Sequence, residues 1–306
     1  MRFGDFSTLC RNTGSYPWCN LFYRQILHED PTVLTNASLP VSSAGLGVNP
    51  TCAIPRMGHA GSLGNIANIV VCALSMILTA VLIWETSRRK AAVGRLELRA
   101  LLSLYFISLP FQLVTTGSFL EQGSTALIVL TAIHAGVVAT VFWMLLANGL
   151  VATQVVEDGT PSSLIPFYFI SFLFFAATTY ISFDVALHIT SAFGPSNPLS
   201  SLHSIPLFVL TSIWPAAAVI IYFIIMTYIV LAVLNELRPM WFYVLSAVLF
   251  VLSQLAFFLL SKVICKGSSA KVDGSFVATI LETAAVSVLY LAWKSITEES
   301  WDESPF

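Results

Sequence analysis

The stretch SLGNIANIVVCALSMILTAVLIW, residues 62–84, runs without a charge into Glu85-Thr86-Ser87-Arg88-Arg89-Lys90. An α-helix rises 1.5 Å per residue, so about 20 apolar residues cross the roughly 30 Å of hydrocarbon in a bilayer. This segment is long enough to do so, and it ends on a cluster of positive charge. Six more stretches of the same kind follow, at 100–116, 124–151, 164–187, 205–234, 241–263 and 275–293. The connections between them are short and polar, as in Glu157-Asp158-Gly159-Thr160-Pro161 and Gly194-Pro195-Ser196-Asn197-Pro198. Composition agrees. Of 306 residues, 57% are hydrophobic and 10% charged, where soluble domains carry about 25% charged residues. Mean hydropathy is +0.83. The expected fold is an all-α membrane protein, a seven-transmembrane helix bundle. A net charge of −2 argues against nucleic-acid binding, which needs a basic surface.

Orientation follows from the bias of Lys and Arg toward the cytosolic side. Arg88, Arg89, Lys90, Arg95 and Arg99 follow the first span, and only Arg56 lies close before it. Lys262, Lys266 and Lys271 fall on the other side and partly offset the bias. The expected topology has the N-terminus lumenal and the C-terminus cytosolic. It divides the chain into a lumenal tail at 1–61, the seven-helix domain at 62–293 and a cytosolic acidic tail at 294–306. Trp84, Trp241 and Trp293 then sit at cytosolic span ends, where they are expected to form an interfacial belt. The segment from Met1 to Cys10 lacks the apolar core of a signal peptide, so the first span is expected to act as an uncleaved anchor.

Cys10, Cys19, Cys52 and Cys265 share the lumenal side in this topology, where disulfides form. Four cysteines allow three pairings, and spacing does not choose among them. Cys72 lies within the first span and reads as a small buried apolar residue. Asn36-Ala37-Ser38 is a glycosylation sequon on the lumenal side. Asn49-Pro50-Thr51 is excluded by its proline.

A charge inside the bilayer is a functional candidate by default. Glu282 stands within the seventh span and must find a hydrogen-bond partner or give up its charge. Asp184 and His188 are four apart at the end of the fourth span, on one helix face, and are expected to pair with each other. His134 and Gln254 read as interhelical hydrogen-bonders. His59 and His203 carry no motif. No G-x-S-x-G elbow, P-loop, dinucleotide fingerprint or H-E-x-x-H occurs, so neither metal nor cofactor is expected. Glu298, Glu299, Asp302 and Glu303 make the C-terminal end acidic, a segment that cytosolic trafficking machinery could read.

Several segments together resemble one family. They are Phe3-Gly4-Asp5-Phe6-Ser7-Thr8-Leu9-Cys10, Asn49-Pro50-Thr51-Cys52, Ala92-Val93-Gly94-Arg95-Leu96-Glu97 and Asn148-Gly149-Leu150-Val151-Ala152-Thr153-Gln154 with Glu157-Asp158-Gly159-Thr160. Ser253-Gln254, Asp273-Gly274-Ser275-Phe276-Val277-Ala278-Thr279 and Trp293-Lys294-Ser295-Ile296-Thr297 complete the pattern. In this order they resemble the fungal chitin synthase export chaperones. Residues 20–47 show no family pattern.

The resemblance implies a non-enzymatic protein of the endoplasmic reticulum membrane. Such a protein binds a chitin synthase, a polytopic client, and helps it fold and leave for the cell surface, with travel alongside the client to the plasma membrane as a further implication. Membrane lipids and vesicle coat machinery are the other partners implied. Small or polar side chains are then expected on exposed helix faces, the candidates being Asn65, Asn68, His134, Asn148, Gln254 and Glu282. Arg95, Glu157 and Asp158 are candidates for contacts to soluble parts of the client. The alternative reading is a seven-helix membrane receptor. Against it, the third span ends in Val155-Val156-Glu157-Asp158 and not Asp-Arg-Tyr, and the seventh has no Asn-Pro-x-x-Tyr. A transporter or intramembrane enzyme needs an ionisable cluster or matched broken helices, and neither is evident.

Overall fold

The computed structural model describes residues 2–35, 48–58, 61–89, 92–190, 192–193 and 196–297. The Asn36 sequon, His59, Lys90 and the acidic end from Glu298 lie outside the described residues. Two short helices, α1 (Ser7–Asn12) and α2 (Cys19–Glu29), precede seven long ones. These are α3 (Ile66–Arg88), α4 (Arg95–Thr116), α5 (Thr125–Ala152), α6 (Pro161–Leu187), α7 (Ile205–Val233), α8 (Arg238–Gly267) and α9 (Gly274–Thr297), each long and apolar enough to cross a membrane. A single helical turn, Thr32–Thr35, follows α2. Among the described residues the one β-pairing is an isolated bridge between Asp5 and His203.

Local chemistry sets the helix ends. Asn65 caps α3 by accepting from Asn68 N at 3.4 Å, and Ser124 caps α5 by accepting from Leu127 N at 3.3 Å. Pro161 opens α6 at a position where its missing N–H costs nothing. Gly94, at φ +66°, is the left-handed hinge that starts α4. Inside the apolar helices, Thr79, Thr86, Thr140 and Ser171 return their hydroxyls to the carbonyl four residues back, at 2.7 Å each, so these four hydroxyls are satisfied within their own helices. Pro215 of α7 would clash with the carbonyl of Thr211 in a regular helix. The chain answers with a π-helical turn at Val209–Ile213, a local widening that bilayer helices tolerate. Further π-helical turns occupy Ile229–Val233 in α7 and Ala256–Leu260 in α8.

Helix α5 is the central post and packs on α4, α6 and α7, while α9 packs on α3 and α8. Its sequence explains this place. Ala132, Gly136 and Thr140 recur every four residues, and small side chains let helix backbones approach in lipid. A Cβ at Gly136 would run into Thr179 Oγ1 and lie 2.9 Å from the carbonyl of Phe175, so α6 touches α5 there nearly backbone to backbone. At Gly149 a Cβ would lie 2.9 Å from the Tyr222 ring of α7.

The N-terminal segment packs across one end of the bundle, the tail side. Phe6, Trp18, Leu21, Phe22 and Ile26 form a buried core there with Ile128 of α5, Val185 of α6 and Leu207 of α7. Residues 20–47, patternless in sequence, therefore include most of a well-packed helix.

Candidate functional site

At the end of the bundle opposite the tail, two connections are clasped together by carboxylates. Asp158, in the α5–α6 turn, accepts from the backbone N–H of Gly94 at 2.9 Å. Glu97, in the first turn of α4, is fully buried. Its Oε1 accepts from Gly159 N and from Ser163 Oγ, both at 3.0 Å, and Oε2 meets no donor. A helix N-terminus favours a carboxylate in its first turn. Asn148 of α5 donates to the Glu97 carbonyl at 3.2 Å and to the Met144 carbonyl at 2.7 Å. Gly159, at φ +67°, turns its N–H into this clasp in a conformation that side chains resist. Of the three candidate residues in these connections, Asp158 is thus occupied inside the protein. Glu157 is exposed and Arg95 half-buried at the same surface.

Inside the bundle, the polar residues bond to one another. Asn65 donates to Ser275 Oγ at 3.0 Å and to Asp273 at 3.3 Å. Asn68 donates to Thr116 Oγ1 at 2.8 Å and accepts from Thr279 at 2.9 Å. Gln112 donates to Thr279 at 2.8 Å. Thr283 bonds Tyr105 at 3.0 Å and Ser75 at 2.8 Å. These contacts form a ladder that laces α3, α4 and α9 together. His134 of α5 meets Thr115 of α4 through Nδ1 at 3.0 Å. Gln254 of α8 donates to Glu282 of α9 at 3.1 Å, so Glu282 has an interhelical partner. Cys72 is buried beside Asn68.

The expectation that these groups lie on exposed faces is corrected. Asn65, Asn68 and His134 are buried, Asn148 is engaged in the clasp, and Gln254 and Glu282 line an internal cavity. A polar side chain turned to lipid has no partner, so the fold turns these inward. Two further expectations change. Asp184 is fully buried, but its carboxylate accepts from Thr190, at 2.5 Å from N and 2.8 Å from Oγ1, and not from the His188 ring. Helix α6 ends at His188, which takes φ +50°, and the chain folds back so that Thr190 reaches the carboxylate. Trp84 and Trp241 are exposed, at 56% and 72%, as an interfacial belt requires, but Trp293 is only 8% exposed and donates to the Val93 carbonyl at 2.9 Å.

On the tail side the structure pairs Cys10 with Cys19 and Cys52 with Cys265. The first bridge joins α1 to α2, and the second ties the approach to α3 to the end of α8. Backbone bonds reinforce them. Phe6 N donates to the Leu202 carbonyl at 3.1 Å and Thr51 N to the Arg11 carbonyl at 2.9 Å. Arg24 donates to the Gly123 carbonyl at 3.0 Å. Arg56 and Glu121 form an ion pair at 3.6 Å. Tyr16, Pro17 and Trp18 reach the tail-side end of the internal cavity, and burial pushes the Tyr16 phenol above its ordinary range, which keeps it a neutral hydroxyl. Among the described residues, no three His, Cys, Asp or Glu side chains come together to hold a metal.

Sequence reasoning missed Glu97 as a centre of the clasp. The signal was present as a lone acid between Arg95 and Arg99, in the first turn of a helix.

Comparison with known proteins places the chain. No solved structure matches it. A family model described as chitin synthase export chaperone matches residues 2–305. Relatives named chitin synthase export chaperone include a Chaetomium globosum protein, 29% identical over 99% of this chain and 85% of its own length. Those of Kluyveromyces lactis and Neurospora crassa are 25% and 27% identical over 99% of this chain, and over 95% and 79% of their own lengths. The match runs from the buried tail through all seven long helices, and on it this chain belongs to the chitin synthase export chaperone family.

Proposed function

We propose that this chain is a multi-pass chaperone of the endoplasmic reticulum membrane that binds a chitin synthase, supports its folding and promotes its export to the cell surface for cell-wall chitin synthesis. The observation that carries this reading is the family match across residues 2–305. The tail side faces the lumen in this reading. Both disulfides lie on that side, and the lumen is where disulfides persist. The opposite side, with Arg88, Arg95, Arg99 and the C-terminus, faces the cytosol. Passage to the plasma membrane is then made in company with its client.

Client contact has two parts in this proposal. In the cytosol, Arg95 and Glu157 meet soluble parts of the synthase. Asn148, Asp158 and the buried Glu97 hold the turn that presents Glu157. Within the membrane, α6 offers an outward row that includes Ile165, Phe169, Phe172 and Tyr180, all exposed. Helix association in lipid rests on packing and interhelical hydrogen bonds, and aromatic rings supply large packing surfaces. Gln254 and Glu282 act from inside by tying α8 to α9. Coat proteins that read residues 298–306 would complete the export route.

The test is to delete the gene and follow a tagged chitin synthase by microscopy, with co-purification from wild-type cells. Retention of the synthase in the reticulum, together with co-purification, supports the reading. Normal arrival of every chitin synthase at the surface, with none co-purifying, overturns it.

A further inference from the structure

A partly open cavity of about 380 Å³ lies among the helices of the bundle, bordered by α4, α5, α7, α8 and α9. It lies where α7 and α8 touch only sparsely. The π-helical turn of α7 supplies Thr211 and Ser212 to its wall, and that of α8 supplies Phe257 and Phe258. Tyr16 and Trp18 of the tail stand at one end, and Tyr222 and Tyr243 line its wall farther along these helices, with ring centroids 6.3 Å apart. The walls are mostly apolar, including Phe142, Ala247, Phe250, Val286 and Leu289. The Gln254–Glu282 pair also lines it, with one carboxyl oxygen of Glu282 taken by the Gln254 amide. Helical rise sets Leu289 roughly 10 Å along α9 from Glu282.

Size and chemistry select the occupant. A membrane-spanning helix about 10 Å across and 30 Å long fills roughly 2,000 Å³ or more, so the cavity does not enclose a transmembrane segment of a client. The volume does lie in the range of small-molecule pockets, about 300–1,000 Å³. An unfilled apolar space of this size forfeits the contacts of its lining, and water gains little along the apolar stretches that make up most of its wall. A hydroxyl satisfies the second oxygen of Glu282, and an apolar body of about 10 Å or more follows the walls toward Leu289.

We propose that this cavity binds an uncharged membrane amphiphile carrying one hydroxyl, with the hydroxyl on the Gln254–Glu282 pair and the apolar body between α5, α7, α8 and α9. Sterols and monoacylglycerols share this chemistry. The inference stands on the cavity and not on the client reading, because its readout is lipid on the purified protein.

The full chain is purified in mild detergent and its neutral lipids are extracted and counted per protein. In parallel, membranes are irradiated with a photoactivatable sterol or a photoactivatable monoacylglycerol, and labelled residues are mapped. Expected is one hydroxyl-bearing lipid near one per chain, labelling near Phe250 or Val286 by one of the two probes, and at least tenfold less of both in Ala247→Trp. Glu282→Leu lowers retention about threefold or more. Ala216→Phe fills the same space from α7 and replaces Ala247→Trp if that variant lacks the Cys52–Cys265 bridge or aggregates. If both variants misfold, the map of labelled wild-type residues decides. Labelling confined to outward residues such as Phe169 and Phe172, or lipid content unchanged when the cavity is filled, overturns the proposal.

Discussion

The two ends of the bundle are closed by different means. On the tail side, two disulfides and an aromatic core hold the N-terminal segment down, and the load is shared among many side chains. On the opposite side, the α3–α4 and α5–α6 connections are joined by hydrogen bonds that converge on Glu97 and Asp158. Covalent closure tolerates the loss of any one polar contact. A clasp that converges on one buried carboxylate does not, because removing that group strands each donor it served. The clasp is therefore where the molecule can be tuned. The far end can change the angle of its exposed turn through one or two residues, while the tail end changes only as a whole.

The largest expected effect tests the covalent end. Replacing Cys52 and Cys265 together with Ser removes a bridge that spans 213 residues. Removing a native disulfide costs about 2–5 kcal/mol, with the lower part of that range applying here because insertion in a bilayer already restrains the unfolded chain. Thermal melting in detergent measures it, and proteolysis should move to the tail before the helices. A tail that stays resistant would mean that the aromatic core alone seats it. Next comes Glu97→Ala, which leaves Gly159 N and Ser163 Oγ without their acceptor and is expected to cost about 1–3 kcal/mol. Its mark is increased protease access at the α5–α6 turn with the tail unchanged. Cleavage at both ends together would show that the ends are coupled and dissolve the comparison.

Asp158→Ala removes one hydrogen bond and is expected to cost about 1–2 kcal/mol by the same melt. Adding it to Glu97→Ala should cost less than the sum, since both belong to one clasp. The smallest effect on stability, within about 0.5 kcal/mol, is expected for Arg95→Glu with Glu157→Lys. That pair of changes should nevertheless lower co-purification of the synthase several-fold. Unchanged co-purification would assign client contact to the membrane faces alone.

The spans were legible because a bilayer demands long apolar runs, and the helices match the expected stretches to within a few residues at most ends. Helix α8 extends further, over 238–267 against the expected 241–263. The directions in which polar residues point were not legible. In a soluble helix the apolar stripe marks the core, but lipid is as apolar as the interior, so Asn68 and His134 gave no sign of which way they face. Helix α2 escaped notice because Asn20, Arg24 and Gln25 break its apolar pattern, and tertiary contacts bury two of these three. Glu97, set between Arg95 and Arg99 in sequence, carried no sign of its burial. Chemistry and side of the membrane grouped the four cysteines, but pairing is a matter of distance and waited for the fold.

One consequence of the Cys52–Cys265 bridge concerns time. Cys10 and Cys19 leave the ribosome almost together and, in the proposed orientation, can join as soon as the tail has crossed the membrane. Cys52 must wait for Cys265, 213 residues later, which at about 5–20 residues per second is roughly 10–40 s of synthesis. During that interval six helices enter the membrane beneath a tail that is not yet fastened. The bond therefore closes only on a nearly finished chain, and its presence in a cell reports that the chaperone has itself been completed before it can attend to another protein.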